Sequence, residues 1–514
     1  MNLTLRQLQN WLPHAKLVNA DAVNTQLAVI KAVRTDSRSV VAGDLFIALK
    51  GEKFDGNAFL AQAQAQGAVA VLFEAANLAQ AQQIPDLKNV TVPAFCVSNA
   101  RAALGELSAQ WRRQFELSLI GVTGSNGKTT VTQMIASVLR ADTASPSLST
   151  QGNLNNEIGV PLTLFNLRPE HQRAVVELGM NHPGEIAVLA QFAQPTIGLV
   201  NNAQREHQEF MSTVEAVAIE NGEVIRALPA KGVAVFPAQD AYTQLWQKLA
   251  GARPVLTFGF TQGDVQAHDI VWRNGAWSFQ LWTQQTIQQT IQQTTQQTTQ
   301  QTTQQTTQQT TQQTTQQTSL PCRLNSAGRH NILNALAATA CALAAGMSLP
   351  VIVKGLESFE PVKGRSKSCE WQIDGHAFTL IDDTYNANPD SVRAAIEVLA
   401  ELPAPRLLIL GDMGEVGLQG AEFHQEVGAY AKACAIQSLF TLGDLCQHSS
   451  QAFEGAVHFS DMDSLQARVL SDIPAYNSVL VKGSRFMKME RVVEALRNRF
   501  EQAQASERES VHAA

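Results

Sequence analysis

GVTGSNGKTTVTQMIASVL, residues 121–139, reads as the end of a strand, a glycine-rich loop and an amphipathic helix. The strand is SLIGV (Ser118–Val122), and the helix opens on Lys128-Thr129-Thr130. Such a junction aims backbone N–H groups and the positive end of a helix at one point, which suits phosphate. Gly124, Ser125, Asn126, Gly127, Lys128, Thr129 and Thr130 are therefore the candidate nucleotide-phosphate residues. Lys128 adds a point charge, and Thr129 offers a hydroxyl to Mg²⁺. The spacing departs from the usual G-x-x-x-x-G-K-[ST]. The first glycine of that pattern falls on Val122, while glycines stand at 121, 124 and 127.

Working outward, strand-like runs at Ala174–Glu177 and Thr196–Asn201 alternate with helical segments, the pattern of a parallel sheet. Near residue 255 the pattern changes to short strands: VLTFGF, HDIVW, and WSFQLW after the turn Arg273-Asn274-Gly275. Upstream, residues 1–98 hold an amphipathic helix (Leu3, Leu5, Leu8, Leu12) and strands within 43–49 and 68–73. Downstream, HAFTLID, RLLILGD, SLFTLGD and SVLVKGS end in acidic or Lys-Gly-Ser groups. In open parallel sheets that end binds ligands. The expected class is α/β with three domains. These are a small amino-terminal α/β domain (1–98), a central P-loop-type, mostly parallel α/β ATPase domain with a short antiparallel section (99–360), and a carboxyl-terminal Rossmann-like α/β domain (361–500). Residues 501–514 read as a tail.

Residues 283–318 are almost pure Gln and Thr with period four. They carry no apolar stripe to bury, and read as a disordered insertion in a hairpin loop. A self-associating Gln/Thr ladder is the alternative. The chain has 38 basic and 45 acidic residues, net charge −7, and only 16% charged residues. An acidic chain excludes general attraction to nucleic acid or anionic lipid, so any polyanion must be met by local groups. Six cysteines show no metal-ligand spacing and read as reduced, mostly buried thiols. The amino terminus lacks the apolar run of a signal peptide, and the apolar stretch 335–347 is too short to span a bilayer. The expectation is a soluble cytoplasmic protein.

Further segments narrow the reading. The loop TGSNGKTT, GNLNNEIGVPLTL (Gly152–Leu164), ELGMNHPGEI (Glu177–Ile186), GRHNILNALAA (Gly328–Ala338), DDTYNANPDS (Asp382–Ser391), LGDMGEVG (Leu410–Gly417) and LVKGSRFMKME (Leu480–Glu490) resemble the Mur ligase and folylpolyglutamate synthetase superfamily. TDSRSVVAGDLFIALKGEKFDG (Thr35–Gly56) resembles the UDP-binding domain of its Mur members. The resemblance covers all but the Gln/Thr tract and the last dozen residues. It implies an ATP- and Mg²⁺-dependent ligase of peptidoglycan-precursor synthesis that joins a carboxylate to an amine through an acyl phosphate. YNANP and GNLNNEIGVP are most similar to the branch whose partners are UDP-N-acetylmuramoyl-tripeptide and D-alanyl-D-alanine. A monomer without nucleic-acid or membrane partners is implied. The rivals are another amide ligase of the superfamily and a nucleotide-binding regulator that has lost catalysis.

The resemblance also assigns residues. Lys128, Glu177 and His207 would be catalytic, with Thr129, Glu177 and His207 around metal. Glu177 ends a buried strand, where a carboxylate needs a partner or a cation, whereas a lone histidine such as His207 is as readily structural. Asn331, Arg365, Asp383, Asn386 and Asn388 would face the nucleotide, although Asn388-Pro389 with Ser391 also reads as a helix cap. Thr35, Asp36, Ser37 and Arg38 would meet the uridine diphosphate, or form a capped turn. Asn153, Asn155, Asn156, Lys482 and Arg485 would meet the substrate, or be loop amides and surface charges. One departure stands out. Many Mur ligases carry a carbamylated lysine in a helix that here is Thr213–Ile225, and Asn221 takes its place. No lysine lies between Lys128 and Lys231. Glu220 or Glu223 supplies the charge instead, or both are solvated.

Overall fold

The computed structural model describes residues 1–18, 29–52, 54–273, 275–284, 317–373 and 375–512. The nine-stranded central sheet places Ser118–Thr123 between Arg173–Glu177 and Ile197–Val200, all parallel. These short strands are apolar along their length because helices cover both faces. On one face, Lys128–Ala141 packs with His330–Ala344 and Leu349–Glu357 around Ile120, Val122, Met134 and Leu336. On the other, Glu185–Ala193 and Val214–Asn221 share a core with the amino-terminal domain. Parallel pairing continues through Val233–Pro237 and Val255–Gly259 to Val265–Arg273, beyond the point where the sequence pattern suggested a change. Antiparallel pairing starts only with the next strand.

Ala276–Gln284 and Gln317–Leu324 form an antiparallel ladder that runs out to Gln284↔Gln317. Thr283, Gln284, Gln317 and Thr318, expected within a disordered insertion, are therefore strand residues. Residues 285–316 and Asn274, the centre of the expected turn, lie outside the described residues.

The amino-terminal domain is a five-stranded sheet with one antiparallel edge pair, plus a two-stranded ribbon. Helix Ala100–Arg112 connects it to the centre and packs on Glu185–Ala193 so closely that Gly105 lies under the Phe192 ring. The carboxyl-terminal sheet has six strands, five parallel and the edge strand Lys367–Ile373 antiparallel. Its last helix, Glu490–His512, continues through most of the stretch expected to be a tail. All six cysteines are thiols, four of them buried, in line with the sequence reading.

Candidate active site

The loop after Ser118–Thr123 is held from beneath. Gly124 and Gly127 adopt φ of 130° and 81°. A Cβ on Gly124 would meet Asn201 at 2.9 Å, and one on Gly127 would meet Asn334 Oδ1 at 2.6 Å. Glycine is thus required by both backbone angle and space. Four asparagines outside the loop, none singled out in the sequence for this role, fix its path. Asn221 Oδ1 accepts the Gly124 N–H at 2.9 Å and Asn202 Oδ1 accepts the Asn126 N–H at 2.9 Å. Asn201 Nδ2 donates to Asn126 O and to Asn334 Oδ1.

Asn221 corrects the metal reading of that helix. Its side chain supports the phosphate loop, is 1% exposed and carries no charge. Glu220, expected to be a charge donor or a solvated carboxylate, is neither. It is buried and accepts the Gly184 and Ile186 N–H groups, capping helix Glu185–Ala193. Glu223 pairs with Arg226 at 2.9 Å, away from the loop.

Lys128 bends back over its own loop. Its Nζ donates to Gly124 O, Ser125 O and Glu206 Oε2, the last at 3.0 Å. All three ammonium hydrogens are engaged. Glu177 is 2% exposed at its strand end. Its Oε1 accepts from Thr129 Oγ1 at 3.1 Å and from Asn155 Nδ2 at 2.8 Å, while Oε2 is buried without a hydrogen-bond partner among the described residues. Glu206 likewise keeps Oε1 buried and unpartnered. A buried carboxylate oxygen with no donor, beside a threonine hydroxyl, is what a hard divalent cation requires. The donor set around Thr129 and Glu177 therefore fits Mg²⁺.

His207 and Glu415 meet across the domain boundary, His207 Nδ1 to Glu415 Oε2 at 2.5 Å. Both have left-handed backbones, φ 47° and 58°, uncommon outside glycine and strained. The His207 imidazole against it holds the Glu415 carboxyl below its ordinary pKa. The histidine thus reaches the carboxyl-terminal domain through Nδ1, while its Nε2 stands 3.9 Å from Glu206.

One cavity of about 1300 Å³ brings these groups together with the carboxyl-terminal domain. Asn156, Asn331, Arg365, Asp383, Asn386, Asn388, Lys482 and Arg485 all line it. Several already have partners. Lys482 is buried and pairs with Asp383 at 2.5 Å, so it is an internal counter-charge and not the surface cation of the alternative reading. Asn331 bonds Ala327 O and Asn334, and Asn156 Oδ1 accepts the Gly159 N–H. Asn388 both caps helix Pro389–Ala400 and donates to Asn126 Oδ1 at 2.9 Å. Tyr385, missed in the sequence, carries Arg365 over its ring at 4.1 Å and Arg485 at 5.8 Å. His330 also lines the wall, its pKa lowered by burial.

Thr35, Asp36, Ser37, Arg38 and Asn153 are not among the residues lining this cavity. Asp36 caps the turn Ser37–Ser39, and Arg38 forks onto it at 2.7 Å, the capped-turn arrangement. That fork holds the Asp36 carboxyl down at about 2. Elsewhere, Asp412, His424 and Cys446 cluster as metal ligands would. Yet His424 Nε2 accepts the Met413 N–H, Nδ1 meets Gly420 O, and Asp412 accepts the Cys446 N–H. With both ring nitrogens engaged, the cluster is structural.

Family models match in the order of the domains. The Mur ligase family catalytic domain matches residues 29–112, the Mur ligase middle domain 122–342, and the Mur ligase glutamate ligase domain 369–485. The chain belongs to the Mur ligase family. It is 36% identical over 503 residues to the UDP-N-acetylmuramoyl-tripeptide–D-alanyl-D-alanine ligase of Escherichia coli (strain K12), covering 96% of this chain and 98% of that one. A crystal structure of MurF from Acinetobacter baumannii matches with a TM-score of 0.82 and 33% identity, over 96% of this Mur ligase and 99% of that chain. A MurF ligase from Thermotoga maritima in complex with ADP shares the fold, with a TM-score of 0.73 and 23% identity over 92% and 98%. The three-domain α/β reading stands. Among the described residues, no helix is long and apolar enough to cross a membrane.

Proposed function

We propose that this Mur ligase adds D-alanyl-D-alanine to UDP-N-acetylmuramoyl-tripeptide at the expense of ATP, in peptidoglycan-precursor synthesis. The observation that carries the reading is the single cavity. It joins a phosphate loop, a buried carboxylate with an unpartnered oxygen and polar groups of the carboxyl-terminal domain, in a chain matched end to end by ligases of that name. Gly124–Thr130 would cradle the nucleotide phosphates, and Lys128 would turn from its loop carbonyls toward them. Thr129 and Glu177 would hold Mg²⁺, which neutralises phosphate charge when bound. Arg365, stacked on Tyr385, and Arg485, paired with Glu490 at 3.1 Å, would present cations from the opposite wall to phosphate or carboxylate oxygens. Asn155, bonded to Glu177, would face the peptide. The protein's contribution is position and electrostatics: a carboxylate held in line for acyl-phosphate formation, then an amine held beside it with water excluded.

Phosphate release and product mass test the reading, using ATP, Mg²⁺, UDP-tripeptide and D-alanyl-D-alanine. Pentapeptide should form with wild type and fall at least 10²-fold, an order-of-magnitude figure, with Lys128→Ala. Turnover only with folate, or only with a shorter UDP-peptide, would replace the substrate. Nucleotide binding without turnover would favour the regulatory rival.

A further inference from the structure

Arg205, Glu206 and His207 follow one another in the turn before helix Gln208–Met211, and each binds a different neighbour. Arg205 makes the largest set of contacts. Its backbone N–H donates to Asp390 Oδ2 at 2.8 Å, and Nη2 donates to Asp390 Oδ1 at 2.6 Å. Nη1 and Nη2 reach Glu426 at 2.7 and 3.1 Å. The guanidinium also stands 5.3 Å from the Phe423 ring centroid. Arg205, Asp390 and Glu426 are largely withdrawn from water, at 22, 24 and 30% side-chain exposure. A two-carboxylate fork at this burial is geometrically specific, unlike a surface ion pair.

The two sides of this fork belong to different domains. Arg205 extends from the central domain, next to the glutamate that holds Lys128. Asp390 opens the carboxyl-terminal helix Pro389–Ala400, two residues after Asn388, whose amide meets Asn126 of the phosphate loop. Fixing Asp390 therefore fixes the height of Asn386–Asn388 over that loop. We propose that Arg205 is a positioning residue. By clamping Asp390 and Glu426 it keeps the segment 386–390 in register with the phosphate loop, and the nucleotide site is complete only while the clamp is made. The nucleotide part of this inference rests on the reading of the cavity given above.

The test uses the full chain with two measurements. One is the distance distribution between probes introduced as non-natural residues at the exposed positions Gln247 and Gln447, one in each domain. The other is the calorimetric affinity for ADP with Mg²⁺. Arg205→Gln should broaden or lengthen the distribution and weaken ADP about tenfold. The double variant Asp390→Asn/Glu426→Gln, which leaves the turn 205–207 untouched, should do the same. Adding Arg205→Gln to that double variant should change little further, since its partners are already gone, although the double variant also removes the Arg393 bond to Glu426. Arg205→Lys keeps the charge without the fork and should recover only part of the effect. Unchanged distances in both Arg205→Gln and the double variant would overturn the clamp. Changed distances with unchanged ADP affinity would overturn its link to the nucleotide. Failure of the wild type to bind ADP would count against the nucleotide reading, leaving the distances to decide the clamp.

Discussion

Glu177 shows how one residue separates function from stability. Its Oε2 is buried and unpartnered while Oε1 takes two hydrogen bonds. Glu177→Gln keeps the shape and the accepting oxygen but removes a charge that is costly without a cation. The metal-free variant should melt no lower than wild type, while the Mg²⁺ concentration for half-maximal ATP turnover rises about tenfold. A lower melting temperature with unchanged Mg²⁺ dependence would make Glu177 structural. The strand-end position of Glu177 and the glycine–lysine loop were legible in the sequence because each is a local pattern. Asn202, Asn221 and Asn334 were not legible as loop supports, since they come from three separate segments and reach the loop only through tertiary packing. Lys482 was legible as a charge, but its partner Asp383 lies 99 residues away.

Elements were easier to read than their junctions. Apolar runs located the central strands of the two larger domains, because buried parallel strands are continuous apolar runs, but not Val233–Pro237 or the edge strands Ser147–Ser149, Lys367–Ile373 and Val457–Phe459. Where the sheet turns antiparallel was not legible, since Val265–Arg273 pairs parallel on one side and antiparallel on the other. The Gln284↔Gln317 pairing places two strand ends opposite one another. Replacing residues 285–316 with a two-residue Asn-Gly turn should therefore close the hairpin. Ligase turnover and oligomer size should stay at wild-type values; a change in either would give the tract a role. A second element-scale prediction concerns the contact of Ala100–Arg112 on Glu185–Ala193. A Cβ at Gly105 would lie 2.1 Å from the Phe192 ring. Gly105→Ala should cost roughly 1–3 kcal/mol by overpacking, read as an earlier first transition in urea. Wild-type unfolding would mean that the ring has room to move.

At the scale of the whole molecule, the amino-terminal domain shares an apolar core with the central one, while polar contacts around the cavity join the central and carboxyl-terminal domains. Arg205's hydrogen bonds hold the Glu426 carboxyl at about 2, against an ordinary value of 4.5. A depressed carboxyl contributes its attraction fully above its unfolded pKa and loses it as pH falls through the folded one. The distance between domains should stay constant from pH 8 to 5 and lengthen between pH 4.5 and 2. Opening already near pH 7 would assign the seating to groups other than this carboxylate. The clamp itself was invisible in the sequence because Arg205 and Asp390 stand 185 residues apart with no shared pattern. Asn221 carries a consequence for the environment in which this enzyme works. A lysine carbamate forms only by taking up dissolved carbon dioxide, so its occupancy follows bicarbonate and pH. With an amide wired to Gly124 and no lysine in that helix, turnover should be the same in degassed and bicarbonate-supplemented buffer. The ligase is then indifferent to the gas its surroundings supply.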